Sequence, residues 1–198
     1  MSRNARVQTG DKMIVPSIEK VEELKGKVDR VTLYQEMAGD LFTPISLLKN
    51  FNGDDYYFLL ESARLDKTMS RFSFLGRNPE KVIYYQNDKR YIEYPQSNRK
   101  DEFDTEPMQY LEKEFTNERA YTDSDFGDFS GGYVGYFAYE SINYMNILRN
   151  QIKEDKDEPL FVFFKVNEFY IFDNHRGKLY AAVSIPLSEN VKESYDLG

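Results

Sequence analysis

Glu61 and Ser62 follow the apolar run Phe58-Leu59-Leu60 with no turn residue between them. A carboxylate accepts hydrogen bonds and a hydroxyl both gives and accepts them, so the pair could hold the ammonium end of a small ligand. Strand alternation sends Phe58, Leu60 and Ser62 to one face and Leu59, Glu61 and Ala63 to the other. A carboxylate carried into a core costs several kcal/mol unless a cation or several N–H groups meet it. Two arrangements satisfy that requirement. In one, Glu61 ends the strand and pairs with Arg64 or Arg71. In the other, it lines a pocket whose ligand brings the cation.

The remaining chemistry is sparse. The single histidine, His175, sits in the turn "DNHRG" and is expected at the surface, so a nucleophile–histidine pair is not expected. The acidic run Glu154 to Glu158 and the stretch "DSDFGD", residues 123–128, lack the spacing of a calcium loop and are expected to be solvated loops. "GGYVG", residues 131–135, is neither G-x-G-x-x-G nor a Walker pattern. Its small residues suggest a strand packed tightly on a neighbour. With no cysteine, disulfides, thiolate chemistry and cysteine-based zinc sites are excluded. No complete catalytic set emerges, so no catalytic and no metal-binding residue is expected.

The elements that must position these groups can be read from patterning. Apolar residues make up 40% of the 198 and aromatics 16%, which is ample for a core. Without interleaved basic residues the aromatics are expected to fill that core. The formal charge of -8 argues against nucleic acid and anionic membrane as partners. The apolar run Leu160 to Phe164 is five residues long, against about 20 needed to span a bilayer. The N-terminus has no signal-peptide pattern. A soluble, cytoplasmic protein is expected.

Along the chain, Pro16-Ser17 opens a helix with Ile18, Val21 and Leu24 on one stripe, and Thr43-Pro44 opens another. Met108, Leu111 and Phe115 mark a third helix, and "SINYMNILRN" is expected to be helical. Strands are expected at "VTLYQEMAG", "DYYFLLESA", "RFSFLGRNP" and "GGYVGYFAYE". "KVIYYQNDKRYIEY" reads as a hairpin turning at Asn87-Asp88, and residues 95–105 as polar loop. "LFVFFKVNEFYIFD" and "KLYAAVSI" read as one long hairpin around Asn174 to Gly177. The class is α+β, mainly antiparallel sheet with a few helices. Residues 1–12 are expected to be a disordered leader or extension, 13–188 the folded region, and 189–198 a tail leading to a further, absent domain.

Four motifs in fixed order, "FLLESA", "SRFSFLGRNP", "GGYVGYFAYE" and "VFFKVNEFYIFDNHRGKLYAAV", resemble the N-terminal region of anthranilate synthase component I. They are also similar to the large subunit of aminodeoxychorismate synthase. The likeness covers roughly residues 14–186. "TPISLL" resembles the family's Thr-Pro helix, and "RFSFLG" its Arg-Tyr-Ser-Phe-Ile-Gly. Met69 replaces a frequent Trp, and Glu140 a frequent Asp.

The resemblance implies the N-terminal part of an α/β sandwich from an enzyme that aminates chorismate with Mg2+. Ammonia would come from a glutamine amidotransferase subunit, component II. The chorismate and Mg2+ residues lie in the family's C-terminal part, so this chain is expected to bind no cofactor and to be inactive alone. The Leu-Leu-Glu-Ser strand lines the family's site for L-tryptophan as allosteric inhibitor. That assigns Leu60, Glu61 and Ser62 to the effector pocket, with Arg71 a neighbour. Glu before Ser62 favours anthranilate synthase over aminodeoxychorismate synthase. The third reading is a self-standing aromatic-rich binding module.

Overall fold

The computed structural model describes residues 13–39, 42–51, 53, 55–61, 71–103, 106–121, 129, 131–144 and 158–198. The leader 1–12, Ser62, Arg64, Met69 and the stretch 123–128 lie outside the described residues. So do residues 145–157, which include most of the acidic run and much of the helix expected after Glu140.

The elements, in chain order, are β1 (Ile14–Val15), α1 (Ile18–Leu24), β2 (Arg30–Met37), α2 (Pro44–Leu48), β3 (Tyr57–Leu60), β4 (Phe72–Arg77), β5 (Lys81–Gln86), β6 (Lys89–Tyr94), β7 (Arg99–Phe103), α3 (Pro107–Thr116), β8 (Ala120–Tyr121), β9 (Gly132–Phe137), β10 (Phe161–Val166), β11 (Glu168–Asp173), β12 (Lys178–Pro186) and α4 (Val191–Leu197). They build two sheets, and the mainly antiparallel strands with a few helices agree with the expected α+β class. The larger runs β1-β2-β12-β11-β4-β3, with β8 beside β2, and the smaller runs β7-β6-β5-β10-β9. Every pairing is antiparallel except β2 with β8.

Local chemistry explains several boundaries. Asn87 and Asp88 both take positive φ, 53° and 61°, which matches the right-handed twist of the β5–β6 hairpin. At α2, Thr43 Oγ1 accepts from the Ser46 N–H at 3.1 Å, and Ser46 Oγ accepts from the Thr43 N–H at 2.8 Å. This reciprocal cap satisfies two backbone donors that a helix start leaves open.

Two expectations need correction. "LFVFFKVNEFYIFD" is not one arm of a hairpin. It is β10 in the smaller sheet and β11 in the larger one, parted only by Asn167. Residues 95–105 are not simply loop: a 3-10 turn at Pro95–Ser97 leads into β7, an edge strand.

The larger sheet is covered on both faces. On one, α1 and α4 bury Val21, Leu24 and Val191 against Val31, Leu33 and Ile185, while Leu47 and Phe51 cover Leu75, Phe172 and Leu179. Thus α4, inside the stretch set apart as a tail, lies on the core. The opposite face gathers Tyr34, Phe58, Phe169, Ile171 and Tyr180, and Val134 and Phe164 of the smaller sheet pack there. The aromatics therefore largely fill cores as expected. Burying one such side chain contributes about 1.5–3 kcal/mol, so these clusters supply most of the folding drive.

The chain crosses between sheets at Asn78–Glu80 and again at Asn167, and the two crossings are bonded together. Glu80 N–H donates to the Lys165 carbonyl at 2.9 Å, and Asn167 Nδ2 donates to Glu80 Oε2 at 2.8 Å. Arg30, 7% exposed, donates from Nη2 to the Ser184 carbonyl and to Asn167 Oδ1, at 2.6 and 2.8 Å. Lys165, 5% exposed, lies 2.8 Å from Glu118 and 3.6 Å from Glu80. Two buried cations thus face two carboxylates where the sheets meet, which satisfies the requirement that buried charge be paired.

Candidate functional site

The end of the larger sheet where β3 stops carries the residues singled out by the sequence. Antiparallel register sets Leu60 opposite Phe74 and Phe72 opposite Asp173. Phe58 is buried and Leu59 packs against Leu47, Phe51 and Leu75, so β3 is clamped on both faces. The clamp loosens at the strand end: Leu60 is 43% exposed and Glu61 is exposed. Of the two arrangements expected, Glu61 at the end of its strand agrees with this exposure. β3 is an edge strand of the sheet, and Glu61 lies just past its last residue with its side chain exposed.

Arg71 has a defined partner. Its Nε and Nη2 donate to Asp173 Oδ2 at 3.1 and 2.6 Å. The guanidinium carbon stands 4.5 Å from the Phe72 ring centroid, a cation–π contact. Asp173 is 1% exposed, and its Oδ1 accepts the N–H groups of His175 and Arg176, each at 3.1 Å. Burial alone would raise the Asp173 pKa. The Arg71 guanidinium and the turn N–H groups outweigh it and hold the carboxyl below its usual range. The turn also grips β4: Asn174 N–H donates to the Arg71 carbonyl at 2.8 Å and Asn174 Nδ2 to Ser73 Oγ at 3.0 Å. Gly39, after β2, presses on the same turn, for a Cβ there would stand 2.6 Å from the Gly177 carbonyl oxygen. His175 itself is exposed, as expected.

The structure thus brings Leu60, Glu61 and Arg71 to one end of one sheet. Sequence reasoning missed Asp173, although an Asp opening a Gly-containing turn is a recognised signal for side-chain capping of turn N–H groups. GGYVG packs as expected: a Cβ on Gly135 would fall 2.0 Å from the Val162 carbonyl oxygen. The smaller sheet carries a cavity of about 320 Å³ lined by Tyr85, Asp88, Tyr136, Glu140, Glu158 and Leu160. None of Leu60, Glu61 or Arg71 lines it. Among the described residues no group of three or more histidine or carboxylate side chains is arranged to hold a metal ion, and no helix is long and apolar enough to cross a membrane.

The site and fold define a two-sheet, mainly antiparallel module with a polar end on its larger sheet. No family model matches this chain. Curated proteins do. Anthranilate synthase component 1 of Acetivibrio thermocellus is 26% identical over 183 residues, 92% of this chain and 37% of that protein. The probable anthranilate synthase component 1 of Schizosaccharomyces pombe is 29% identical over 189 residues, 92% of this chain and 35% of that protein. The Synechocystis anthranilate synthase component 1 is 29% identical over 183 residues, 90% of this chain and 36% of that protein. A solved structure, anthranilate synthase component I from Streptococcus pneumoniae, aligns with 81% of this chain and 34% of its own, at 23% identity and a TM-score of 0.49. The chain is therefore similar to anthranilate synthase component 1 over about nine-tenths of its length, as the four motifs led one to expect. It spans little more than a third of the curated relatives it matches.

Proposed function

We propose that this chain is the N-terminal, tryptophan-sensing part of an anthranilate synthase component I. The observation that carries the reading is similarity over nine-tenths of this chain to relatives of that name, within about a third of their length. On this reading the complete cytoplasmic enzyme converts chorismate and ammonia to anthranilate and pyruvate with Mg2+. Component II supplies the ammonia from glutamine. The lyase chemistry belongs to the remaining two-thirds, and this chain contributes regulation.

The effector sits where β3 ends. Leu60 offers apolar surface, Glu61 meets the ammonium group and Arg71 stands beside them, and the resemblance adds Ser62 to this pocket. Inhibition then requires that tryptophan bind one arrangement of the whole protein better than another, since the linkage between effector and chemistry is reciprocal. Anthranilate fluorescence from the complete polypeptide, with chorismate, Mg2+ and ammonia, tests the reading. L-tryptophan should inhibit, and Glu61→Ala or Ser62→Ala should raise the inhibitory concentration. A hydrogen bond to a charged group contributes about 1.5–3 kcal/mol, so the rise should be roughly 10- to 150-fold. Wild-type sensitivity in both variants would remove the effector assignment. Release of aminodeoxychorismate instead of anthranilate would replace the proposed product.

A further inference from the structure

Among the described residues, the cations Arg71, Arg176 and Lys178 at this sheet end already have carboxylates facing them. Arg71 gives two nitrogens to Asp173 Oδ2, Arg176 Nε stands 3.9 Å from the same oxygen, and Lys178 pairs with Glu36 at 2.7 Å. The Asp173 carboxylate is sealed in place, with its other oxygen fixed by two turn N–H groups. Glu61 differs: it is exposed, and none of the ion pairs among the described residues includes it. A guanidinium offers a rigid donor fork that suits a ligand carboxylate, and here that fork is occupied from within the fold.

We propose that Asp173 is a specificity-determining positioning residue: by holding the Arg71 guanidinium it withdraws that cation from recognition, so Glu61 sets the preference and this sheet end selects an ammonium over a carboxylate. The inference rests on the tryptophan reading above, and it gives Arg71 the role of a fixed support for β4. Asp173 never meets the ligand. It acts by deciding which charge the ligand meets.

Calorimetric titration of the complete polypeptide with L-tryptophan, tryptamine and indole-3-propionate tests this. Tryptamine keeps only the ammonium, and indole-3-propionate only the carboxylate. The wild type should bind tryptamine about tenfold or more tightly than indole-3-propionate. Asp173→Asn releases Arg71 and should improve indole-3-propionate binding about tenfold, a change in ligand order that mere loosening of the fold would not produce. Arg71→Lys retains a cation opposite Asp173 and should keep the wild-type order, and if Asp173→Asn does not fold, Asp173→Ser, which also frees Arg71, should shift the order in its place. An unchanged order in folded Asp173→Asn overturns the inference and leaves the tryptophan reading standing. Loss of tryptophan binding in Arg71→Lys as deep as in Glu61→Gln also overturns it, by making Arg71 the ligand's contact. Failure of the wild type to bind tryptophan ends both.

Discussion

Replacing Arg30 by methionine should weaken the whole molecule, because its guanidinium ties the junction of the two sheets. Methionine keeps most of the length and removes three bonds: to the Ser184 carbonyl at 2.6 Å, to Asn167 Oδ1 at 2.8 Å and to Ser184 Oγ at 3.2 Å. Glu80 and Glu118 lie 3.9 Å away and are 39% exposed, so those ion pairs add little. The two short bonds, each to a charged donor at the low end of about 1.5–3 kcal/mol, give about 3 kcal/mol. Urea unfolding followed by circular dichroism measures it. With a slope near 3 kcal/mol/M for a chain of this size, the midpoint should fall by about 1 M with the slope unchanged. A fall under about 0.2 M would refute the argument. A fall in slope without a change in midpoint would mean that the sheets unfold separately, which also contradicts the bridging role.

Three further outcomes are expected. Asp173 has a depressed carboxyl pKa in the folded state, so its stabilisation is present above the unfolded value of about 3.9 and is lost as pH falls through the folded value. The melting-temperature gap between wild type and Asp173→Asn should therefore be constant above about pH 5 and shrink below pH 4; a gap that widens on acidification contradicts the assignment. Gly135→Ala should cost about 2–3 kcal/mol, since the new methyl meets the Val162 carbonyl oxygen at 2.0 Å, and differential scanning calorimetry should show Tm lower by about 5–10 °C. Glu114 takes hydrogen bonds from Lys81 and Tyr133, and with the Lys81 and Glu114 side chains 13% and 16% exposed the pair is largely desolvated. Glu114→Ala should therefore cost about 3 kcal/mol in urea titration, and a loss below about 1 kcal/mol would show that water compensates the lysine.

Much of the fold was legible because alternation and turn chemistry act locally. Asn87-Asp88, Thr43-Pro44 and the Met108–Leu111–Phe115 stripe each carry their structure in a few neighbouring residues. The break at Asn167 was hidden for the opposite reason. Both β10 and β11 are apolar, and nothing in "FFKVNEFY" signals that the chain leaves one sheet and enters another. β7, "RKDEF", was read as loop because an edge strand facing water looks polar. At the candidate site, two places for Glu61 were left open, at the strand's end or lining a pocket, because the residues before it are apolar. Strand order decides exposure at a strand end, and no local pattern reports that β3 is an edge. Asp173 was overlooked because its partner is about a hundred residues distant in sequence.

The hairpin of β11 and β12 stands in the middle of the larger sheet, between β1-β2 on one side and β4-β3 on the other. A ribosome would deliver those flanking pairs long before the piece that joins them, and each would wait with a bare edge. Vectorial synthesis therefore leaves two half-built platforms exposed to wrong partners until the last strand emerges. Any chain terminated before Lys178 would lack the keystone of its own architecture, with the flanking strands intact in sequence and unable to meet.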